Sequence, residues 1–160
     1  MDEWSLCLGE TEFVDKVGFW FENMGLPRIQ GQILGLMMIA PTALTAAQIS
    51  HHLHVSRGSV STNTNQLVKM AMLEKVRNKG ERSQYFQFDR GVLVTQIQQN
   101  IEANKRFQEL LSLGLELVPK SNATGHKNLE VWSKAYSELD KEFVHLLERW
   151  KAYVKKIMAQ

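Results

Sequence analysis

Apolar positions along the chain recur at two spacings, and these lay out its elements in order. Phe13, Val17, Trp20, Phe21 and Met24 fall on one stripe at helical spacing, which predicts a helix from about Glu10 to Met24. Gly25-Leu26-Pro27 stops it. A second helix is expected from Ile29 to Ile39, ended by Pro41, and a short third from Ala46 to Leu53. His54 and Val55 make a tight connection, and a fourth helix starts at Ser56, whose side chain can cap the free amides of the first turn. On that helix, 56–70, Val60, Leu67 and Ala71 mark the core side, and Thr64 shares their stripe.

The period then changes. Leu73 to Arg77 and Ser83 to Phe88 read as strands joined by the basic, glycine-containing turn Asn78-Lys79-Gly80-Glu81-Arg82. Two helices followed by a basic hairpin predict a winged helix-turn-helix. A long helix follows from Gly91 or Val92 to Val118, patterned by Val94, Ile97, Ile101, Asn104, Phe107, Leu111 and Val118. Pro119 to Gly125 is a loop, and the last helix runs from about Lys127 to Met158. In it Leu129, Trp132, Tyr136, Leu139, Phe143, Leu146, Trp150, Tyr153 and Ile157 alternate steps of three and four, the 3.5-residue period of a coiled-coil seam. Two such helices carry more apolar surface than a small head can cover, so they should pack on each other and on a second subunit.

The expected fold class is therefore mainly α, an α+β winged helix-turn-helix with long N- and C-terminal dimerisation helices. Three segments are expected: supporting helices in 1–40, the winged helix in 41–90 and dimerisation helices in 91–160. Leu129, Trp132, Tyr136, Leu139, Phe143, Leu146 and Trp150 are the candidate dimer seam.

Composition narrows the function. At 160 residues and 44% hydrophobic, the chain can bury a core. No apolar run is long enough to span a bilayer, and the acidic start Met1-Asp2-Glu3-Trp4 lacks the basic region of a secretory signal. Cys7 is the only cysteine, so no intrachain disulfide forms, which suits a reducing cytoplasm. The net charge of +2 hides a segregation. Residues 1–26 hold six acids against Lys16, a net of −5, whereas 51–90 hold seven bases against three acids, a net of +4. The basic part coincides with the winged helix and draws a polyanion there.

In a helix-turn-helix the second helix enters the major groove of duplex DNA. Its outward face offers Ser56, Arg57, Ser59, Ser61, Thr62, Asn63 and Gln66, short donors and acceptors suited to base edges and phosphates. Lys69 and Lys75 suit phosphate contacts, as does Lys79 at the wing tip, where Arg82 can reach a narrow minor groove.

These residues carry a resemblance. Pro27 to Leu36, Leu44 to Ile49, Ser56-Arg57-Gly58-Ser59-Val60-Ser61, and Gly80-Glu81-Arg82 with Tyr85-Phe86 resemble the GbsR-type branch of the MarR transcriptional regulators. The resemblance covers residues 10–90 by motif and the remainder by helix layout. It implies a cytoplasmic homodimer on a pseudo-palindromic operator, acting as a repressor and tied to osmoprotectant synthesis or uptake (betaine, choline or ectoine). The chain departs from that branch in having Asn65 in place of a basic residue, Thr64 in place of an aliphatic one and Ala71 in place of glycine.

The resemblance also implies a small-molecule effector. Trp20, Phe21 and Trp132 are the candidate walls of an aromatic cage for a quaternary ammonium group, with plain core packing as the competing reading. Phe19 lies off the stripe of the first helix and is either exposed or a partner contact. His51 and His54 have a metal-compatible spacing without a third ligand, so neither a metal nor another cofactor is expected. No catalytic motif stands out, and an enzyme is not expected. Two other readings stay open: a winged-helix protein–protein interaction module without specific DNA binding, and an RNA-binding winged helix.

Overall fold

The computed structural model describes residues 4–77 and 83–158, the last two of these by backbone alone. The chain forms α1 (Leu8–Asn23), α2 (Arg28–Ile39), β1 (Leu44–Thr45), α3 (Ala46–Leu53), α4 (Arg57–Lys69), β2 (Leu73–Val76), β3 (Tyr85–Phe88), α5 (Val92–Leu117) and α6 (Ala123–Met158). It divides into two compact units, 1–92 and 93–160. Among the described residues no helix is long and apolar enough to cross a membrane. The fold is mostly helical with a small β-wing and long flanking helices, as the hydrophobic pattern predicts.

In the first unit α2 is the hub. It packs against α1, α3, α4 and β3. Ile33, Leu34, Leu36 and Met37 join Val14, Phe21, Leu44, Ile49, Val60, Leu67, Leu73 and Phe86 in one core. The approach of α1 to α2 is set by glycine. A Cβ on Gly31 would lie 2.8 Å from Gly18 Cα and 2.9 Å from Phe21 Cβ, and would collide with the Val17 carbonyl oxygen. One on Gly35 would lie 3.2 Å from Val14 Cα.

That contact corrects the predicted stripe of α1. Val14, Gly18 and Phe21 face inward, whereas Phe13, Trp20 and Met24 are exposed. Backbones this close leave no room for a face of large side chains, so the small-residue face wins. Phe19 is also exposed, with the Arg28 guanidinium 3.9 Å from its ring centroid. At the start of α1 the Glu10 carboxylate accepts the Cys7 N–H at 2.8 Å. That bond holds the Glu10 pKa below its ordinary value, so the cap operates above the ordinary carboxylate range and is lost as pH falls through the lowered value.

The sheet has the order β1-β3-β2, antiparallel throughout. β2 and β3 pair from Leu73↔Phe88 to Val76↔Tyr85, as expected of a wing. β1, which the pattern does not reveal, pairs Leu44 with Phe86 and Thr45 with Tyr85 on the other edge of β3. Two residues are too few to show an alternation.

In the second unit α5 and α6 form an antiparallel hairpin. His126 Nε2 lies 2.5 Å from the Val118 carbonyl near the bend. Leu129 packs over Gly114, and Phe107 and Tyr136 rings stand 4.7 Å apart. Farther along, Ile97, Ile101 and Leu147 are buried with Val94, Phe143, Leu146 and Trp150 around them. Buried Asn104 donates to the Tyr136 carbonyl at 3.1 Å and to Asp140 Oδ1 at 3.2 Å.

Gly31→Ala is expected to lower stability by about 1–3 kcal/mol through overpacking, despite the better helix propensity of alanine. Gly58→Ala, where a new Cβ would meet only Ser56 Oγ at 4.0 Å, is the control and should be neutral or stabilising. Thermal melts of the two variants check this, and equal midpoints would overturn the glycine-contact account.

Candidate nucleic-acid interface

Three helix ends in the first unit close in the same way. After α1, Leu26 N–H donates to the Phe21 carbonyl around left-handed Gly25. After α3, Val55 N–H donates to Ser50 around His54 (φ 53°), and Ser50 Oγ donates to the Val55 carbonyl at 2.6 Å. After α4, Met72 N–H donates to Leu67 around Ala71 (φ 55°). These are six-to-one closures with a left-handed residue just past the helix. The tight connection expected at His54 and Val55 is therefore built on a non-glycine left-handed residue, and Ala71 occupies the same conformation where the resembling branch has glycine.

The starts of α3 and α4 are capped by side chains. Thr45 Oγ1 accepts from Gln48 N–H at 3.3 Å while Gln48 Oε1 accepts from Thr45 N–H at 2.8 Å. Ser56 Oγ accepts from Ser59 N–H at 3.2 Å. Ser56 thus acts first as a cap, although it also stands exposed at the head of the helix.

Helix α4 has two distinct faces. Val60, Thr64 and Leu67 are completely buried, and Ala71 is buried just beyond its end. Thr64, a polar residue on this core stripe, donates its hydroxyl to the Val60 carbonyl at 2.8 Å. Arg57, Ser61, Thr62, Gln66 and Lys69 are exposed on the opposite side, as anticipated, and Ser59 is half-buried.

Asn63 differs from expectation. It is buried, and its Nδ2 donates to the Ser59 carbonyl one turn back at 2.8 Å. Its amide is committed to its own helix rather than to the outer face, as short polar side chains tend to do.

Asn65 is exposed instead. Arg57, Ser61 and Asn65 lie one turn apart along α4 and line an open hollow of about 380 Å³. Thr45, Ala46 and Ala47 at the start of α3, and Ser83, Gln84 and Phe86 on the wing, complete it. Lys75 on β2 donates from Nζ to Asn65 Oδ1 at 2.8 Å. Glu74 accepts a hydrogen bond from Gln87 across the wing. The wing-tip residues Lys79 and Arg82 lie outside the described residues.

The remaining candidates are dispersed. Phe21 is sealed in the core and has no open face for a ligand, which removes it from an aromatic cage: its ring closes the α1–α2 contact. Trp20 is exposed with its ring 5.5 Å from that of Phe21. Trp132, on α6, is exposed beside Tyr136 at 5.8 Å. Trp4 rests against His52 at 4.9 Å, and His51 sits between His52 and His54. Among the described residues no three histidine, cysteine or acidic side chains gather as a metal-ligand set.

Of the α6 seam, Leu129, Tyr136, Phe143, Leu146 and Trp150 are engaged with α5 in the same chain. Trp132 and Leu139 remain exposed.

The arrangement of residues 44–77 and 83–88 is that of a winged helix-turn-helix. Residues 24–82 match the MarR family model. The chain is 29% identical over 105 residues to the HTH-type transcriptional regulator MmpR5 of Mycobacterium tuberculosis. That match spans 65% of this chain and 64% of the relative's length. The crystal structure of a transcriptional regulator superimposes with a TM-score of 0.80 at 23% identity, over 90% of this chain and 99% of that one, so the fold is shared.

Ser56→Ala is expected to cost about 1 kcal/mol of stability by removing the cap, and Ser56→Asp to restore it. Thermal melts measure both, and an unchanged midpoint for Ser56→Ala would show that the cap contributes nothing.

Proposed function

We propose that the chain is a DNA-binding transcriptional regulator acting as a homodimer, with α4 of each subunit in the major groove of a pseudo-palindromic operator. One observation carries this: within a winged helix-turn-helix that matches the MarR family model over residues 24–82, α4 is anchored by Val60, Thr64 and Leu67 and turns Arg57, Ser61, Thr62, Gln66 and Lys69 outward. Arginine and lysine supply the phosphate attraction, and the hydroxyls and amides supply base contacts. The curated relative and the structural neighbour are both described as transcriptional regulators, which supports the same reading. Lys79 and Arg82, which lie outside the described residues, would add their charge to the same DNA contact, with Arg82 directed to the minor groove.

Exposed apolar residues of the hairpin support self-association. Leu110 and Leu117 are 61% and 72% exposed, and Leu113, Val131 and Leu139 are also uncovered. A second copy removes this surface from water, at about 25 cal/mol for each Å² buried. Two heads held about one DNA turn apart, ~34 Å, would then meet successive major grooves.

The GbsR-type motif run Ser56 to Ser61 extends the proposal to repression of osmoprotectant genes in the cytoplasm. Exposed Trp132 beside Tyr136 is the aromatic surface for a quaternary ammonium effector. A thermal-shift series with choline and glycine betaine tests that extension, and a Trp132→Ala variant that responds like the wild type would remove it.

Affinity for duplex DNA is expected to fall roughly a thousandfold between 50 mM and 200 mM salt, the behaviour of a protein that displaces several counterions. Arg57→Ala should weaken binding about tenfold or more with the dimer intact. A wild-type chain that ignores duplex DNA at low salt would exclude the reading and leave a protein-interaction module.

Leu139→Asp is expected to yield monomers that bind DNA poorly, since it places a charge in the proposed interface. Sedimentation decides this, and a variant that still runs as a dimer would move the interface off this part of α6.

A further inference from the structure

The Lys75–Asn65 hydrogen bond joins the wing to the reading helix at the edge of the hollow lined by Arg57 and Ser61. An asparagine amide carries an oxygen acceptor and an NH₂ donor in one plane, and in the major groove that combination pairs bidentately with adenine N6 and N7. Here the partner of the oxygen is an ammonium group, which can only donate. The bond therefore orients the amide with Oδ1 toward β2 and its NH₂ on the other side. It also sets a full positive charge 2.8 Å from the one acceptor the side chain has. The adenine N6 amino group, itself a donor, would have to approach that oxygen against the charge.

We propose, on the footing of the DNA-binding reading above, that Asn65 and Lys75 form a single donor-only recognition unit. It selects an acceptor-only group on duplex DNA: the O6/N7 edge of guanine, or a phosphate oxygen. Asn65 makes the contact, and Lys75 is the positioning residue that suppresses the adenine pairing of a free amide. Both side chains are exposed, so neither is needed for the core.

The test selects binding sites from a randomised duplex library with the full chain, comparing wild type with Lys75→Met, Lys75→Arg and Asn65→Ala. If the partner is a guanine edge, wild type prefers guanine over adenine roughly tenfold at one position in each half-site. Lys75→Met then admits adenine there, Lys75→Arg keeps the preference, and Lys75→Met adds nothing in an Asn65→Ala background. If the partner is a phosphate, the selected sequences stay the same while Lys75→Met weakens binding equally on every sequence, and does so only when Asn65 is present. Asn65→Ala then weakens binding equally on every sequence.

The proposal is overturned if Lys75→Met and Asn65→Ala both leave base preference and affinity at the wild-type values. It is also overturned if Lys75→Met changes base preference to the same extent with and without Asn65. A wild-type chain that selects no duplex at low salt overturns the DNA-binding reading itself, and this proposal with it.

Discussion

Helix α2 is apolar almost all the way round because it is surrounded, and the first unit depends on that. Its glycine side receives α1, and its aliphatic side meets α3, α4 and β3. Phe21, Ile33 and Leu36 are fully buried there, each worth roughly 1.5–3 kcal/mol of transfer from water. Helix α4 has no rigid support of its own on its outer face. It is held from behind by Val60, Thr64 and Leu67 against this core. The placement of the outward face of α4 starts with the fit of side chains on its buried one.

The polar residues of α4 divide by how they are satisfied. Thr64 and Asn63 turn their hydrogen bonds back onto carbonyls of their own helix and so can be buried. Ser61, Thr62 and Gln66 remain on the outer face. The helix is also framed by two left-handed residues that are not glycine, His54 before it and Ala71 after it. Left-handed conformations of this kind persist only where the surroundings impose them. Here the imposed bonds are those that close α3 against α4 and turn α4 into the wing.

In the second unit, apolar packing along the hairpin is interrupted by buried Asn104. Its hydrogen bonds to the Tyr136 carbonyl and Asp140 exist in one register of the two helices, so a slipped hairpin would leave a buried amide unpaired. Most of the heptad seam of α6 is engaged with α5, and the residues left over are those that self-association would cover.

Much of this was readable from the residues. The 3.6-residue spacings located every helix to within about one turn, because a helix must bury one stripe and that stripe repeats. Ser56 announced its cap, and the change of period after Ala71 the wing. The tertiary structure decided which of several apolar stripes on α1 turns inward, since that depends on a glycine contact with another helix. It buried Asn63 and exposed Asn65, which lie about 200° apart around the axis of α4. It also added β1 and brought Lys75 to Asn65. Pairings between residues far apart in the chain leave no period to read, and only the folded packing creates them.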